Sequence, residues 1–327
     1  GLSSGLFGGS EPLLGTKDTS PWNLIELSSL SAVEIKDLLD RAAQFRKGLA
    51  AESANSREMG GPRPRVALLF SEPSTRTSLS FRVACQELGV DVVELPADRS
   101  SLLKGESMLD TAQVLEALGA GAIVVRDKSD EVIDGLAEHC RAGVLNAGGG
   151  TKAHPSQGLL DARVLLDHFE NLEGRRIGIL GDVVHSRVAR SDAVAFTALG
   201  AEVVLIGPPE FLSETGWPKG VSVSTDLDAE LPRLDAIQVL RIQHERIEGG
   251  MGLPLSDYIS EYQLDEKRLE SVNSEFCVLH PGPMNRGVEI SSGVADGPRS
   301  QILDQVSAGV YVRMALVEKS LGLKGLK

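Results

Sequence analysis

The sequence is poor in several features, and each shortage excludes a class of protein. Cysteine occurs only three times in 327 residues, as Cys85, Cys140 and Cys277. The number is odd and no two have C-x-x-C spacing. A disulfide framework and a cysteine zinc site are therefore disfavoured, and a reducing cytoplasm fits best. Aromatic residues are 4% of the chain, with two Trp and three Tyr, too few for base-stacking surfaces. No apolar run approaches the ~18 residues of a membrane span. There is no basic-then-apolar leader pattern and no N-x-S/T sequon. Positive charge is also short. Lys plus Arg is 33 against 46 Asp plus Glu, a formal charge of −13. An acidic protein is not held on nucleic acid or an anionic membrane by its overall field.

What is present is a folding core. Hydrophobic residues are 42% of the chain, well above the disordered range. At ~150 residues per domain the length suggests two domains. Residues 1–21 are rich in Gly, Ser and Pro and read as a flexible tail. Ser31 with Glu34 forms a capping box, and the apolar spacing from Val33 to Phe45 predicts a helix.

Short Val/Ile/Leu runs then alternate with helical patterns. The expected strands are Val66–Phe70, Asp91–Leu95, Ala122–Arg126, Gly143–Asn146, Arg176–Leu180, Glu202–Ile206, Ala236–Leu240 and Phe276–Leu279. The expected helices are Thr77–Leu88, Gly105–Leu118, Ser156–Phe169, Val188–Leu199, Glu261–Val272 and Ser300–Leu321. Continuous rather than alternating apolar strands are those of parallel sheets covered on both faces. The fold class is α/β, two doubly wound parallel-sheet domains joined by helices. The first domain spans 22–155 and is completed by a C-terminal helix, 300–327, that returns to it. The second spans 156–299.

In such sheets ligands bind beyond the carboxyl ends of strands, and polar loops follow strand after strand. Ser71-Glu72-Pro73-Ser74-Thr75-Arg76-Thr77 puts hydroxyls, a guanidinium and free N–H groups at a helix start, a phosphate site in character. The bland alternative is that Ser74 or Thr75 only caps the helix. Lys104, in a loop before the next helix, also reads as a solvated lysine. Arg126 ends a strand and faces either a ligand crevice or a salt bridge to Asp127 or Asp130. Asn146 to Gln157 carries three glycines and then His154. This is a ligand loop with a neutral imidazole at a helix start, or a glycine hinge with a capping histidine. Arg187 follows the next strand. Arg241 and Gln243 follow another and point the same way if the chain stays extended. His280-Pro281-Gly282-Pro283 follows the last strand as a rigid turn. A cleft collecting Arg76, Lys104, Arg126, His154, Arg187 and Arg241 suits small polyanions. No G-x-G-x-x-G or G-x-x-x-x-G-K-S/T motif supports a nucleotide cofactor, so a nicotinamide dehydrogenase is disfavoured. No Ser-His-Asp order, nucleophilic Cys or metal-spaced set is present, and neither cofactor nor metal is expected.

Ser74-Thr75-Arg76-Thr77, Lys104-Gly105-Glu106-Ser107, His154-Pro155-Ser156-Gln157, Arg241-Ile242-Gln243 and His280-Pro281-Gly282-Pro283 occur together and in this order. From about Asn23 to Leu321 the chain resembles the carbamoyltransferase family, on its aspartate side. The resemblance implies transfer of the carbamoyl group of carbamoyl phosphate to L-aspartate, in pyrimidine synthesis. It implies that Ser74, Thr75, Arg76 and Thr77 hold the phosphate. Arg126, His154 and Thr77 would meet the carbamoyl oxygen. Gln157 and the Pro281–Gly282 turn would take the carbamoyl amine, and Lys104, Arg187, Arg241 and Gln243 the aspartate. Ser100 and Lys104 would come from a neighbouring subunit, making a homotrimer with shared sites. Glu72 would pair with Arg187 and Arg246 on domain closure. Whether regulatory chains or a dihydroorotase bind is left open. Ser78, Gly149 and Lys152-Ala153 depart from the common pattern without removing a contact. An ornithine-type enzyme and an inactive scaffolding homologue are the competing readings.

Overall fold

The computed structural model describes residues 21–48, 63–72, 74–95, 105–243 and 253–323. Two all-parallel sheets form. The first has the order β2-β1-β3-β4, built from β1 (Arg65–Phe70), β2 (Asp91–Leu95), β3 (Ala120–Arg126) and β4 (Gly143–Asn146). The second has the order β7-β6-β5-β8-β9, built from β5 (Arg176–Leu180), β6 (Glu202–Ile206), β7 (Val221–Ser224), β8 (Ala236–Val239) and β9 (Cys277–Leu279). Ten α-helices lie among the described residues. They are α1 (Ala32–Arg46), α2 (Thr75–Glu87), α3 (Met108–Ala117), α4 (Asp130–His139), α5 (Pro155–Phe169), α6 (Arg187–Ala198), α7 (Leu227–Glu230), α8 (Leu255–Tyr262), α9 (Ser292–Ala295) and α10 (Ile302–Ser320).

Both faces of each sheet are covered, which explains the unbroken apolar runs. Along β1, Val66 and Leu68 join one apolar cluster while Ala67 and Leu69 join another on the opposite face. In β6, Val203 and Leu205 alternate in the same way with Val204 and Ile206. One cluster runs through both sheets. Its bridges are α5, buried along most of its length, and α10, which packs on α1, α2 and α5. Arg41 of α1 clamps Glu318 of α10 with two hydrogen bonds of 2.7 Å, so the last helix returns to the first domain as expected.

The differences from expectation have local causes. The capping box at Ser31 is present. The helix α4 was not anticipated. It carries Gly135 in its interior, and only Ile133 and Leu136 are fully buried. The expected helix Glu261–Val272 is instead the end of α8, a bridge from Leu264 to Ile290 and a 3-10 turn at Arg268–Ser271. Leu264 exchanges backbone hydrogen bonds with Glu289 and Ser291, so tertiary pairing overrides the helical spacing. β7 is an edge strand with alternating Val and Ser, short and only half-buried.

The topology decides where loops meet. β1 lies between β2 and β3, so the chain reverses its direction of winding there. β5 lies likewise between β6 and β8. A crevice opens at the carboxyl end of such a switch point. The loops after β1, β3, β5 and β8 carry most of the motifs singled out above.

Candidate active site

At the first switch point Phe70 and Arg126 are register partners, and the Ser71 N–H donates to the Arg126 carbonyl at 2.9 Å. Ser74 sits at the N-cap of α2, but its side chain makes no cap hydrogen bond. Its Oγ accepts from Arg126 at 3.2 Å instead. The capping alternative therefore fails for Ser74, whose side chain leaves the first N–H groups of α2 uncapped, a place suited to an anion. The salt-bridge alternative for Arg126 fails too. Asp127 accepts from Ser71 and Ser129, and Asp130 accepts from Thr151. Arg126 instead donates to the Ala147 carbonyl at 3.3 Å and lies 3.8 Å from Glu72. Its buried Nε has no hydrogen bond among the described residues.

The glycine loop after β4 folds around Asn146, whose Oδ1 accepts from the N–H groups of Gly148 and Gly149, both at 3.0 Å. Gly148 has φ 91°, and a Cβ there would come within 2.5 Å of the His154 ring. Glycine is required on both counts. His154 stands before α5 but does not cap it through its side chain. Its backbone N–H donates to Ser191 Oγ on α6 at 3.0 Å, and its buried Nδ1 has no partner among the described residues. Burial first, then Arg313, Arg187 and Arg126, hold the imidazole well below the usual histidine range. It is a neutral group surrounded by cations.

The second domain reaches the same place. Ser186 caps α6, and Arg187 at its start donates to the Gly150 carbonyl of the glycine loop at 3.0 Å. Burial lowers the Arg187 pKa, opposed by Glu72 and Asp130. Arg126 is pushed down to about 10 by burial and by Arg187, with Glu72 opposing. Two crowded guanidiniums with one partly exposed carboxylate between them form an anion site with unused capacity. After β8, buried Ile242 separates exposed Arg241 and Gln243, as an extended chain requires. The Ile242 carbonyl accepts from Asn285 at 2.6 Å. Arg76 crosses to the last turn, where a Cβ on Gly282 (φ 68°) would lie 3.0 Å from its Nε. That turn is braced by His280. Its Nδ1 accepts from the Gly282 N–H, and its Nε2 donates to buried Glu289, both at 2.9 Å.

The structure thus gathers Glu72, Ser74, Arg76, Arg126, His154, Arg187 and Gly282 about the facing carboxyl ends of the two sheets. Thr75 and Thr77 are in the first turn of α2, and Gln157 is in that of α5. Pro281 lies in the turn braced by His280. No ion pair joins Glu72 to Arg187. Ser100, Lys104 and Arg246 lie outside the described residues.

Such a set of donors can hold a phosphate, polarise a carbonyl oxygen and grip carboxylates. Residues 22–167 match the carbamoyl-phosphate-binding domain of the aspartate/ornithine carbamoyltransferases, and residues 173–319 match their Asp/Orn-binding domain. The chain belongs to the aspartate/ornithine carbamoyltransferase family. It is 44% identical over 308 residues to the aspartate carbamoyltransferase catalytic subunit of Rhodococcus jostii, covering 91% of this chain and 97% of that protein. It is 45% identical to that of Mycobacterium sp. (strain JLS) over 303 residues, 90% of this chain and 95% of that protein. Among solved structures, the catalytic subunit of M. jannaschii aspartate transcarbamoylase aligns with TM-score 0.76 and 28% identity, covering 92% of this chain and 98% of that one. The ornithine carbamoyltransferase of Thermus thermophilus aligns with TM-score 0.78 and 26% identity, covering 93% and 99%.

For this carbamoyltransferase, sequence reasoning missed the polar groups behind the cleft. Asp161, Asp192, Gln238, Glu289 and Arg313 are all nearly or fully buried. Arg313 of α10 donates to Ser80 of α2 and Ser156 of α5. Only Asp161 left a signal, four residues after Gln157 and so on the same helix face.

Proposed function

We propose that the chain transfers the carbamoyl group of carbamoyl phosphate to the amine of L-aspartate, releasing N-carbamoyl-L-aspartate and phosphate in pyrimidine biosynthesis. The observation that carries this is the convergence of Arg126, Arg187 and neutral His154 at one crevice between two domains, with Arg76 at its edge. The first domain, residues 22–155 with the last helix, takes carbamoyl phosphate. The second, 156–299, takes aspartate.

Ser74, Thr75, Arg76 and Thr77 hold the phosphate on the open N-terminus of α2. Arg126, His154 and Thr77 donate to the carbamoyl oxygen as it gains charge. Fixed donors in a half-buried site are worth more here than in water. Because His154 is neutral, it adds a hydrogen bond without adding a third buried cation. Gln157 and the Pro281 carbonyl accept from the carbamoyl amine, beside Gly282. Arg187, Arg241 and Gln243 hold the two aspartate carboxylates and bring the amine to the carbonyl carbon. The departing phosphate takes the proton that the amine loses. The amine nitrogen bonds to the carbamoyl carbon as the carbon–oxygen bond to phosphate breaks.

Ser100 and Lys104 complete the site of an adjacent subunit, in a cytoplasmic homotrimer. Glu72 draws Arg187 and Arg246 inward when the domains close. Purified protein with carbamoyl phosphate should form product with aspartate and none with saturating ornithine. Turnover of ornithine would reject the Arg241-x-Gln243 assignment. Absence of turnover with both would favour an inactive scaffolding role.

A further inference from the structure

Through the second domain and the last helix runs a chain of buried amides and carboxylates with a single possible direction. It begins at a backbone group, which cannot be reversed. The His280 N–H donates to Gln305 Oε1 at 2.9 Å. That fixes the Gln305 amide, so its Nε2 must donate, and it does so to Asp161 Oδ1 at 2.7 Å. Asp161 Oδ2 accepts from Gln238 Nε2 at 2.6 Å. The same Oδ1 accepts from Gln157 Nε2 at 3.0 Å. Gln157 is thereby left with its oxygen, Oε1, as the free end, and this atom makes no hydrogen bond to a described residue. Asp161, Gln238, Gln305 and His280 are each at most 3% exposed, so water does not compete for these groups.

Direction matters because the carbamoyl amine is a donor. A glutamine that turned its NH2 toward it would present donor to donor. An amide has no intrinsic preference between its two faces, and a partner that only accepts is what selects one. We propose that Asp161, held by Gln305 and Gln238, is a positioning residue that locks Gln157 with its oxygen toward the carbamoyl amine. This rests on the reading that Gln157 meets that amine.

The second carboxyl nearby is consistent with the lock. Gln238 Nε2 also reaches Asp192 Oδ2 at 3.1 Å. Asp192 Oδ1 is buried with no hydrogen bond to a described residue, and the Asp192 and Asp161 carboxyls lie within hydrogen-bonding reach of each other. Burial, and then the charge of Asp161, drive Asp192 well above the usual carboxylate range. A proton retained on Asp192 leaves Asp161 as the acceptor that the lock needs.

The test compares two ligands that share a phosphate. Carbamoyl phosphate has the amine. Acetyl phosphate has a methyl group in its place and offers Gln157 nothing to accept. The measured quantities are the KM for carbamoyl phosphate and the inhibition constant of acetyl phosphate as its competitor. Asp161→Leu should raise the former about tenfold, the equivalent of one hydrogen bond, and change the latter less than twofold. Asp161→Asn, which keeps an oxygen for Gln157, should recover most of the loss. Gln305→Met should act like Asp161→Leu and supplies the reading if that variant does not fold. Equal weakening of both ligands in Asp161→Leu and Gln305→Met would mean a structural role only and would overturn the proposal. The control is Gln157→Leu. If it leaves the ratio of the two constants unchanged, the Gln157 contact itself is wrong and the lock falls with it. If Gln157→Leu changes the ratio while the Asp161 and Gln305 variants do not, the contact stands and the lock alone is rejected.

Discussion

His154 has its protonation set by what surrounds it. A surface histidine titrates near 6.5. This one is buried, with Arg313, Arg187 and Arg126 opposing its protonation. Its native pKa is therefore depressed below the unfolded value. Between the two values the unfolded chain binds more protons, so stability rises with pH. The contribution of this group is full above about 6.5 and is lost as pH falls below it. His154→Gln keeps a neutral donor without the titration. Its denaturant-unfolding free energy should fall less than that of the parent between pH 7.5 and pH 5. In the parent, the kcat profile from pH 6.5 to 8 should carry no inflection that His154→Gln removes. An inflection lost in the variant would mean that the imidazole titrates in the working range.

At the scale of elements, α5 and α6 hold two carboxyl groups, Asp161 and Asp192, in the apolar seam between the sheets. Desolvation leads the causes that raise both, and the charge of Asp161 adds to the effect on Asp192. A carboxyl with a raised native pKa binds more protons folded than unfolded. Its contribution therefore falls as pH rises from about 4 through the native value. Asp192→Asn substitutes a permanently neutral donor for the protonated acid. The variant should be at least as stable as the parent at pH 7.5, and its advantage should shrink toward pH 4. Urea unfolding at the two pH values measures this. A variant strongly destabilised at pH 7.5 would mean that Asp192 is needed as an anion.

These helices also show what was legible and what was not. The strand bounds Gly143–Asn146, Arg176–Leu180 and Glu202–Ile206 were readable because strands covered on both faces leave unbroken apolar runs. The loop residues Ser74, Arg76, Arg126, His154 and Arg187 were readable as candidates because they recur after such runs and most lie in motifs of one family in order, although Ser74, Arg126 and His154 each alone had a structural alternative. Asp192 was not, and Asp161 only faintly, since a lone acid in a helix reads as its solvated face until the neighbouring helix and strand are placed on it. α4 and β7 escaped as well. α4 is short and carries Gly135 in its interior, although Val132, Ile133, Leu136 and Ala137 share one face, and β7 has only four residues, in which Val alternates with Ser.

At the scale of the whole molecule the charge of −13 and two anionic substrates have to be reconciled. Long-range attraction is not available from that balance. At physiological ionic strength the field is screened within ~8 Å, so Arg76, Arg126 and Arg187 act locally. Buried Arg313, lowered to about 10 by desolvation with Asp161 opposing, adds positive potential behind the cleft. One chain already crowds two guanidiniums and cannot bury many more without cost, which is the physical argument for the proposal that a neighbour supplies Lys104. A trimer with heterologous contacts gives each site one neighbour. Arg76→Ala and Lys104→Ala subunits should each be inactive alone. In any mixed trimer one interface pairs an intact Arg76 with an intact Lys104. Random exchange puts about three quarters of trimers in mixed form, each with one working site of three, so about a quarter of parental activity should return. Recovery is measured after denaturation, mixing and refolding, with mixed species verified by mass. A mixture that exchanges subunits fully and remains inactive would place Arg76 and Lys104 in the same chain's site.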